Sequence, residues 1–219
     1  MSNLSKRIIT SLVLLFIILF SFSNLILYCL LSFFVSTLAF NEFTVIFKRI
    51  FKKSNLLYFF SVLFSIFYVI NFLCFTIFFL IDSFQVNKFT IIFLISICIS
   101  TDIGGFVFGK IIGGKKLTSI SPNKTYAGVC GSFVTSILIG FLFYNNWNNI
   151  LPENINIILF VCFLSLLSQL GDLTISIFKR KAKLKDTGVL LPGHGGILDR
   201  VDGILLAVPL GIIIIQVST

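Results

Sequence analysis

The chain has 219 residues, of which 57% are hydrophobic and only 11% charged, with 28 phenylalanines among them. Soluble domains carry about 25% charged residues, so a water-soluble surface is excluded and the chain reads as a membrane protein. A net charge of +9 would point to nucleic acid in a soluble protein; here the placement of the basic residues carries the meaning, and no nucleic-acid partner is expected.

A helix that crosses about 30 Å of hydrocarbon needs roughly 20 residues, with a lower limit near 17. The apolar runs that approach this measure are, in chain order, residues 8–22, 25–40, 56–81, 89–108, 126–144, 155–178 and 203–217. The first, within "MSNLSKRIITSLVLLFIILF", has the basic start and apolar stretch of a signal peptide. No small-residue cleavage site precedes the next run, so it reads as a retained first helix. A single helix over 8–40 would be about 50 Å long at 1.5 Å per residue, and Ser23 and Asn24 read as a turn that splits it. The expected fold is all-α: a polytopic helical membrane protein of about seven transmembrane helices, forming one transmembrane domain over residues 1–219.

Seven crossings with the N-terminus inside place Lys6 and Arg7, Lys48 to Lys53, Lys110 to Lys124 and the Lys179 to Arg200 cluster on the inner face. Of the 17 Lys and Arg residues only Lys88 then falls outside. One miscounted helix would destroy that segregation, so the N-terminus is expected to be cytoplasmic. Cys29, Cys74, Cys98, Cys130 and Cys162 each sit within an apolar run without Cys-x-x-Cys spacing. They read as small buried hydrophobes, and neither a disulfide framework nor a thiolate metal site is implied.

Two inner loops hold the chemistry. The first stretch is "STDIGGFVFGKIIGGKKLTSISPNKTYAG". Asp102 lies within an apolar run, where a carboxylate costs about 2.5 to 3.5 kcal/mol on insertion scales, and this marks it as a functional candidate. The competing reading is helix packing through Gly104, Gly105 and Gly109 with Asp102 merely paired. Lys115, Lys116, Lys124, Ser121 and Asn123 offer ammonium, hydroxyl and amide groups suited to phosphate oxygens, although inner-face lysines also follow from topology alone.

The second stretch, "SQLGDLTISIFKRKAKLKDTGVLLPGHGGILDRVDG", is more specific. Asp172, Ser176 and Lys179 stand at i, i+4 and i+7 and share one helix face. Asp199 and Asp202, three apart, are expected to project together. Carboxylates at a membrane edge amid Lys and Arg form the oxygen-ligand set that Mg²⁺ takes when it also holds substrate phosphates. Gly188, Gly193, Gly195 and Gly196 let the loop turn sharply and present backbone amides. A single histidine, His194, makes no zinc site; it reads as ordering the loop or touching phosphate.

Ser176, Lys179, Arg180, Lys185, Asp186, Gly188, Pro192, His194, Gly195, Gly196, Asp199, Arg200 and Asp202 match the signature S-x-x-K-R-x4-K-D-x-G-x3-P-x-H-G-G-x-x-D-R-x-D. On these residues the chain resembles the phosphatidate cytidylyltransferases, the bacterial CDP-diacylglycerol synthases. "TDIGGFVFGK", "ISPNKT" and "GDL" look like that family's segments in the same order. The resemblance covers about residues 100–209, and the chain looks short for the family in its N-terminal half. Ala127 stands where relatives commonly carry Glu or Gln.

The resemblance implies that CTP and phosphatidic acid give CDP-diacylglycerol and pyrophosphate, at the cytoplasmic surface of a bacterial inner membrane. Mg²⁺, alone or with a second cation, is the implied cofactor, and membrane lipids and a homodimeric partner are the implied company. Asp172 and Asp199 are the implied metal carboxylates, with Asp202 and Asp102 as second choices. Lys179, Arg180, Lys185 and Arg200 would bind triphosphate or lipid phosphate, with Lys179 and Arg200 acting in catalysis. Ser121, Asn123, Lys124, Ser176, His194, Gly195 and Gly196 would complete the substrate site. A transporter built on Gly-broken helices is the competing class; polar groups gathered at one membrane edge rather than at mid-bilayer speak against it.

Overall fold

The computed structural model describes residues 3–117, 121, 124–147, 150–191 and 195–218, except for the side chains of residues 3–8, 85 and 86. Its helices are α1 (Asn3–Ser21), α2 (Leu25–Ile50), α3 (Asn55–Asp82), α4 (Phe84–Ile111), α5 (Tyr126–Asn146), α6 (Ile157–Lys181), α7 (Leu198–Val201) and α8 (Ile204–Ser218). Six stretches are long and apolar enough to cross a membrane, the last being Leu198–Ser218, and Ile9–Ser21 is a shorter apolar helix. The chain is a polytopic, all-helical integral membrane protein. Among the described residues the only β-type pairings are two isolated bridges.

Local chemistry sets the helix starts. Asn24 ends the predicted turn and accepts from Ile26 N at 2.9 Å. Thr125 accepts from Gly128 N at 3.1 Å to start α5, and Asn156 accepts from Ile158 N at 3.0 Å to start α6. Each cap satisfies an amide that the first turn leaves open.

Several boundaries differ from expectation, α4 running over Phe84–Ile111 rather than 89–108, and two of the shifts bear on the site. α2 runs to Ile50 instead of stopping at residue 40, because the polar pair Asn41 and Glu42 is tolerated inside a helix whose apolar pattern resumes at Phe43. The last span begins at Leu198, with a one-turn α7 broken from α8 at Asp202 and Gly203.

The interior is filled by fully buried Phe43, Phe93, Leu94, Ile97, Leu164 and Ile212, while Phe16, Phe67, Phe78, Phe106 and Leu159 point outward as lipid-facing residues do. Water supplies no drive for helix association inside a bilayer, so close packing and interhelical hydrogen bonds must do so. α4 and α5 meet in this way. Ser132 Oγ donates to Thr101 O at 2.7 Å and Thr135 Oγ1 to Ser100 O at 2.9 Å. A Cβ on Gly128 would come within 2.7 Å of Gly105 O.

The two ends of the bundle differ in charge. At one end Phe89 stacks on Trp147 with ring centroids 6.0 Å apart, and Asn154 donates to Ser218 O at 2.8 Å. Lys88 is the basic residue there. At the other end Phe47 meets Phe178 at 5.0 Å, Lys124 reaches Asp172, and Glu42 reaches Leu198 N at 2.9 Å. The basic clusters that follow α2, α4 and α6 therefore share one end, in keeping with the expected parity of crossings.

Candidate functional site

Both polar loops fold back onto helices at the basic end. After α4 the chain turns through Gly113 and Gly114, whose φ values of +66° and +94° are left-handed. Leu117 N then donates to Lys124 O at 2.8 Å, and Tyr126 N to Lys115 O at 3.2 Å. This narrow return sets Lys124 just before the α5 cap, where its ammonium pairs with the Asp172 carboxylate on α6. Ser176 Oγ, one turn further along α6, donates to Asp172 Oδ1 at 3.3 Å.

Beside this pair lies a cleft of about 260 Å³ between α4, α5 and α6, lined by Asp102, Ser121, Lys124, Gln169 and Asp172 among others. Asp102 forms no ion pair among the described residues, yet it lies within coulombic reach of Lys124, Arg200 and Asp172. It lines this cleft beside Lys124 and Asp172.

The second loop is organised around one carboxylate. α6 closes with Lys183 at φ 57° and Leu184 N donating to Lys179 O at 2.9 Å, which turns the chain back over the helix end. Asp199 Oδ1 accepts from Lys179 Nζ at 2.6 Å. Its Oδ2 accepts from Thr187 N at 2.8 Å, Thr187 Oγ1 at 3.0 Å and Gly196 N at 3.2 Å. Gly195 has φ +83°, and a Cβ on Gly196 would collide with Thr187 Oγ1 and the Glu42 carboxylate. Gly195 and Gly196 thus permit a tight approach, and the Gly196 amide meets Asp199; Gly193 lies outside the described residues.

Not every predicted site residue shares this arrangement. Asp172, Asp102, Ser121 and Lys124 line the cleft, whereas Lys179, Asp199, Gly195 and Gly196 form the loop node, and Ser176 and Lys179 on one face of α6 connect the two. Asp199 and Asp202 do not project together. The break after α7 leaves Asp202 buried, its Oδ1 accepting from Gly203 N at 2.9 Å, within coulombic reach of Asp172 and Asp102. Arg180, Lys185 and Arg200 are exposed around the node. Asn123 and His194 lie outside the described residues.

Glu42, absent from the residues predicted for the site, also belongs to this node. On α2, its Oε2 lies 2.5 Å from Thr187 Oγ1 and 2.9 Å from Leu198 N, and its Oε1 accepts from Ile197 N at 3.0 Å. The rule that singled out Asp102 would have found it, had the second apolar run been carried past residue 40.

Among the described residues no three His, Cys, Asp or Glu side chains converge closely enough to cage a metal ion. Asp172 and Asp199 instead each face a single lysine ammonium, a monovalent cation in a place where a divalent one could bind. That donor set fits Mg²⁺ in its usual biological mode, held by one or two carboxylates and completed by substrate phosphates and water.

Residues 51–218 match the model of the cytidylyltransferase family. A phosphatidate cytidylyltransferase of Bacillus subtilis is 41% identical over 139 residues, which is 63% of this chain and 51% of that protein. One of Staphylococcus haemolyticus is 45% identical over 121 residues, 53% of this chain and 45% of the relative. One of Rickettsia bellii is 39% identical over 137 residues, 59% of each. The matched part of the chain spans about half the length of these relatives.

Proposed function

The chain belongs to the cytidylyltransferase family, and from that premise we propose that it transfers the cytidylyl group of CTP to phosphatidic acid, releasing pyrophosphate and forming CDP-diacylglycerol. The observation that carries the reading is the pair of carboxylates, Asp172 and Asp199, each held by a lysine at the basic end of a membrane bundle and joined along one face of α6.

A phosphate monoester is already anionic at neutral pH and needs no strong base to attack the α-phosphorus of CTP. The barrier lies in bringing two anions into line and stabilising the charge that leaves with pyrophosphate. Lys124 and Lys179 meet that need. Each now neutralises a carboxylate and can exchange it for a phosphate oxygen when substrate arrives. Arg180, Lys185 and Arg200, exposed around the node, suit the triphosphate or the lipid headgroup, the arginines through two parallel bonds. Asp102, Ser121 and Gln169 give the cleft the polar wall that a nucleotide requires. Asp172 and Asp199 are the residues that would hold Mg²⁺; when bound, it supplies charge neutralisation across the phosphates. The purified chain, given labelled CTP, phosphatidic acid and Mg²⁺, should form CDP-diacylglycerol and lose this activity in EDTA. Product formation from CTP with no lipid phosphate acceptor present would rule the reading out.

The basic end faces the cytoplasm of a bacterial inner membrane in this reading, supported by the gathering of Lys and Arg at that end. In a cysteine-free background, a cysteine at Asn145 should react with an impermeant maleimide in intact cells and one at Lys181 only after lysis. Labelling of the Lys181 position from outside would reverse the orientation.

A further inference from the structure

We propose that Glu42 is a positioning residue for the transfer reaction: from α2 it ties Thr187, which bonds Asp199, to the two residues just before Asp199 and so fixes the direction of that carboxylate. The role rests on the cytidylyl transfer proposed above. Glu42 sits within a membrane-spanning helix, where a carboxylate is costly unless the surroundings satisfy it. Its hydrogen-bond partners among the described residues come from the loop that carries Asp199, 145 to 156 residues away in sequence. On one side it takes Thr187 Oγ1 at 2.5 Å; on the other it takes Ile197 N at 3.0 Å and Leu198 N at 2.9 Å, the two amides that precede Asp199.

Thr187 links the two acids. Its hydroxyl lies between Glu42 Oε2 and Asp199 Oδ2, at 2.5 and 3.0 Å, and its single proton is shared between them, while its amide also bonds Asp199 at 2.8 Å. Two of the loop glycines make room for the same group: a Cβ on Gly188 would lie 2.7 Å from Glu42 Oε1, and one on Gly196 would strike both carboxylate oxygens. The glycine run of the signature is thus shaped, at these two positions, around a side chain from the N-terminal part of the chain. A carboxylate that only anchored α2 would not need donors from both Thr187 and the turn that leads into Asp199.

Glu42→Gln keeps the size and one acceptor but turns an amide NH₂ toward donors, which should loosen the clamp without emptying the space. In the purified full chain we expect kcat for cytidylyl transfer to fall roughly tenfold or more, as small misplacements of reacting groups do, and the Mg²⁺ concentration for half-maximal rate to rise severalfold. Amide exchange across 185–198 should quicken while α3 keeps its wild-type exchange, and Glu42→Asp, which restores the charge, should recover part of kcat. The proposal is overturned if exchange across 185–198 is unchanged in Glu42→Gln. It is overturned equally if the loss of rate only tracks the loss of folded protein with the Mg²⁺ requirement unaltered. If the wild-type chain transfers no cytidylyl group, the proposed function fails on its own, and the exchange comparison still decides whether Glu42 holds the loop.

Discussion

Asp172→Asn and Asp199→Asn should each lower the rate of CDP-diacylglycerol formation by about a hundredfold or more, since loss of a charge that organises transition-state phosphates costs several kcal/mol and about 1.4 kcal/mol is tenfold in rate. Asparagine preserves the volume, so insertion and the helix count should be unaffected. The two variants should nonetheless differ. Asp172 carries an ion pair with Lys124 and one hydroxyl contact, so its substitution should act on chemistry and Mg²⁺ requirement while the fold stays intact. Asp199 also accepts Thr187 N, Thr187 Oγ1 and Gly196 N on a single oxygen, so its substitution should additionally loosen the loop, visible as faster proteolysis between residues 182 and 197. Lys124→Ala and Lys179→Ala should raise the apparent KM for CTP or lipid more than they lower kcat. Near-normal turnover in Asp172→Asn would remove that carboxylate from the site.

A large effect on stability is expected at Gly171. A Cβ there would stand 2.6 Å from Asp202 O and 3.0 Å from Gly203 Cα, backbone atoms that no rotamer change can move aside. Gly203 in turn faces Ser168 at the same crossing, so α6 and the α7–α8 junction meet backbone to backbone. Gly171→Ala must push them apart, an overpacking that typically costs about 1–3 kcal/mol, and it shifts Asp172 with its helix. Gly113→Ala offers the comparison: its φ of +66° makes alanine strained, but nothing lies within 4 Å of the new methyl, so about 1 kcal/mol is expected. Thermal unfolding in detergent should rank Gly171→Ala well below Gly113→Ala. Equal midpoints would mean that the α6 crossing is looser than the structure has it.

The spans were legible because a bilayer demands long apolar runs and the loops carry their charge on one side. The turn at Ser23 and Asn24 and the shared face of Asp172 and Ser176 followed from short-range spacing. What sequence could not reach was long-range pairing: that Lys124 would meet Asp172 across 48 residues, or that Asp199 and Asp202, neighbours in sequence, would part at the break after α7. Glu42 was obscured by a boundary. An acid beside Asn41 reads as a helix end when its partners, Thr187 and the amides of Ile197 and Leu198, lie in a distant loop.

The most direct measurement follows the phosphorus atoms. With CTP labelled at the α-phosphate or, separately, at the γ-phosphate, and with phosphatidic acid vesicles, purified protein and Mg²⁺, the α-label should pass into a chloroform-soluble product while the γ-label stays in water as pyrophosphate. Transfer of the γ-label to lipid, or α-label released only as CMP, would contradict cytidylyl transfer to a lipid phosphate.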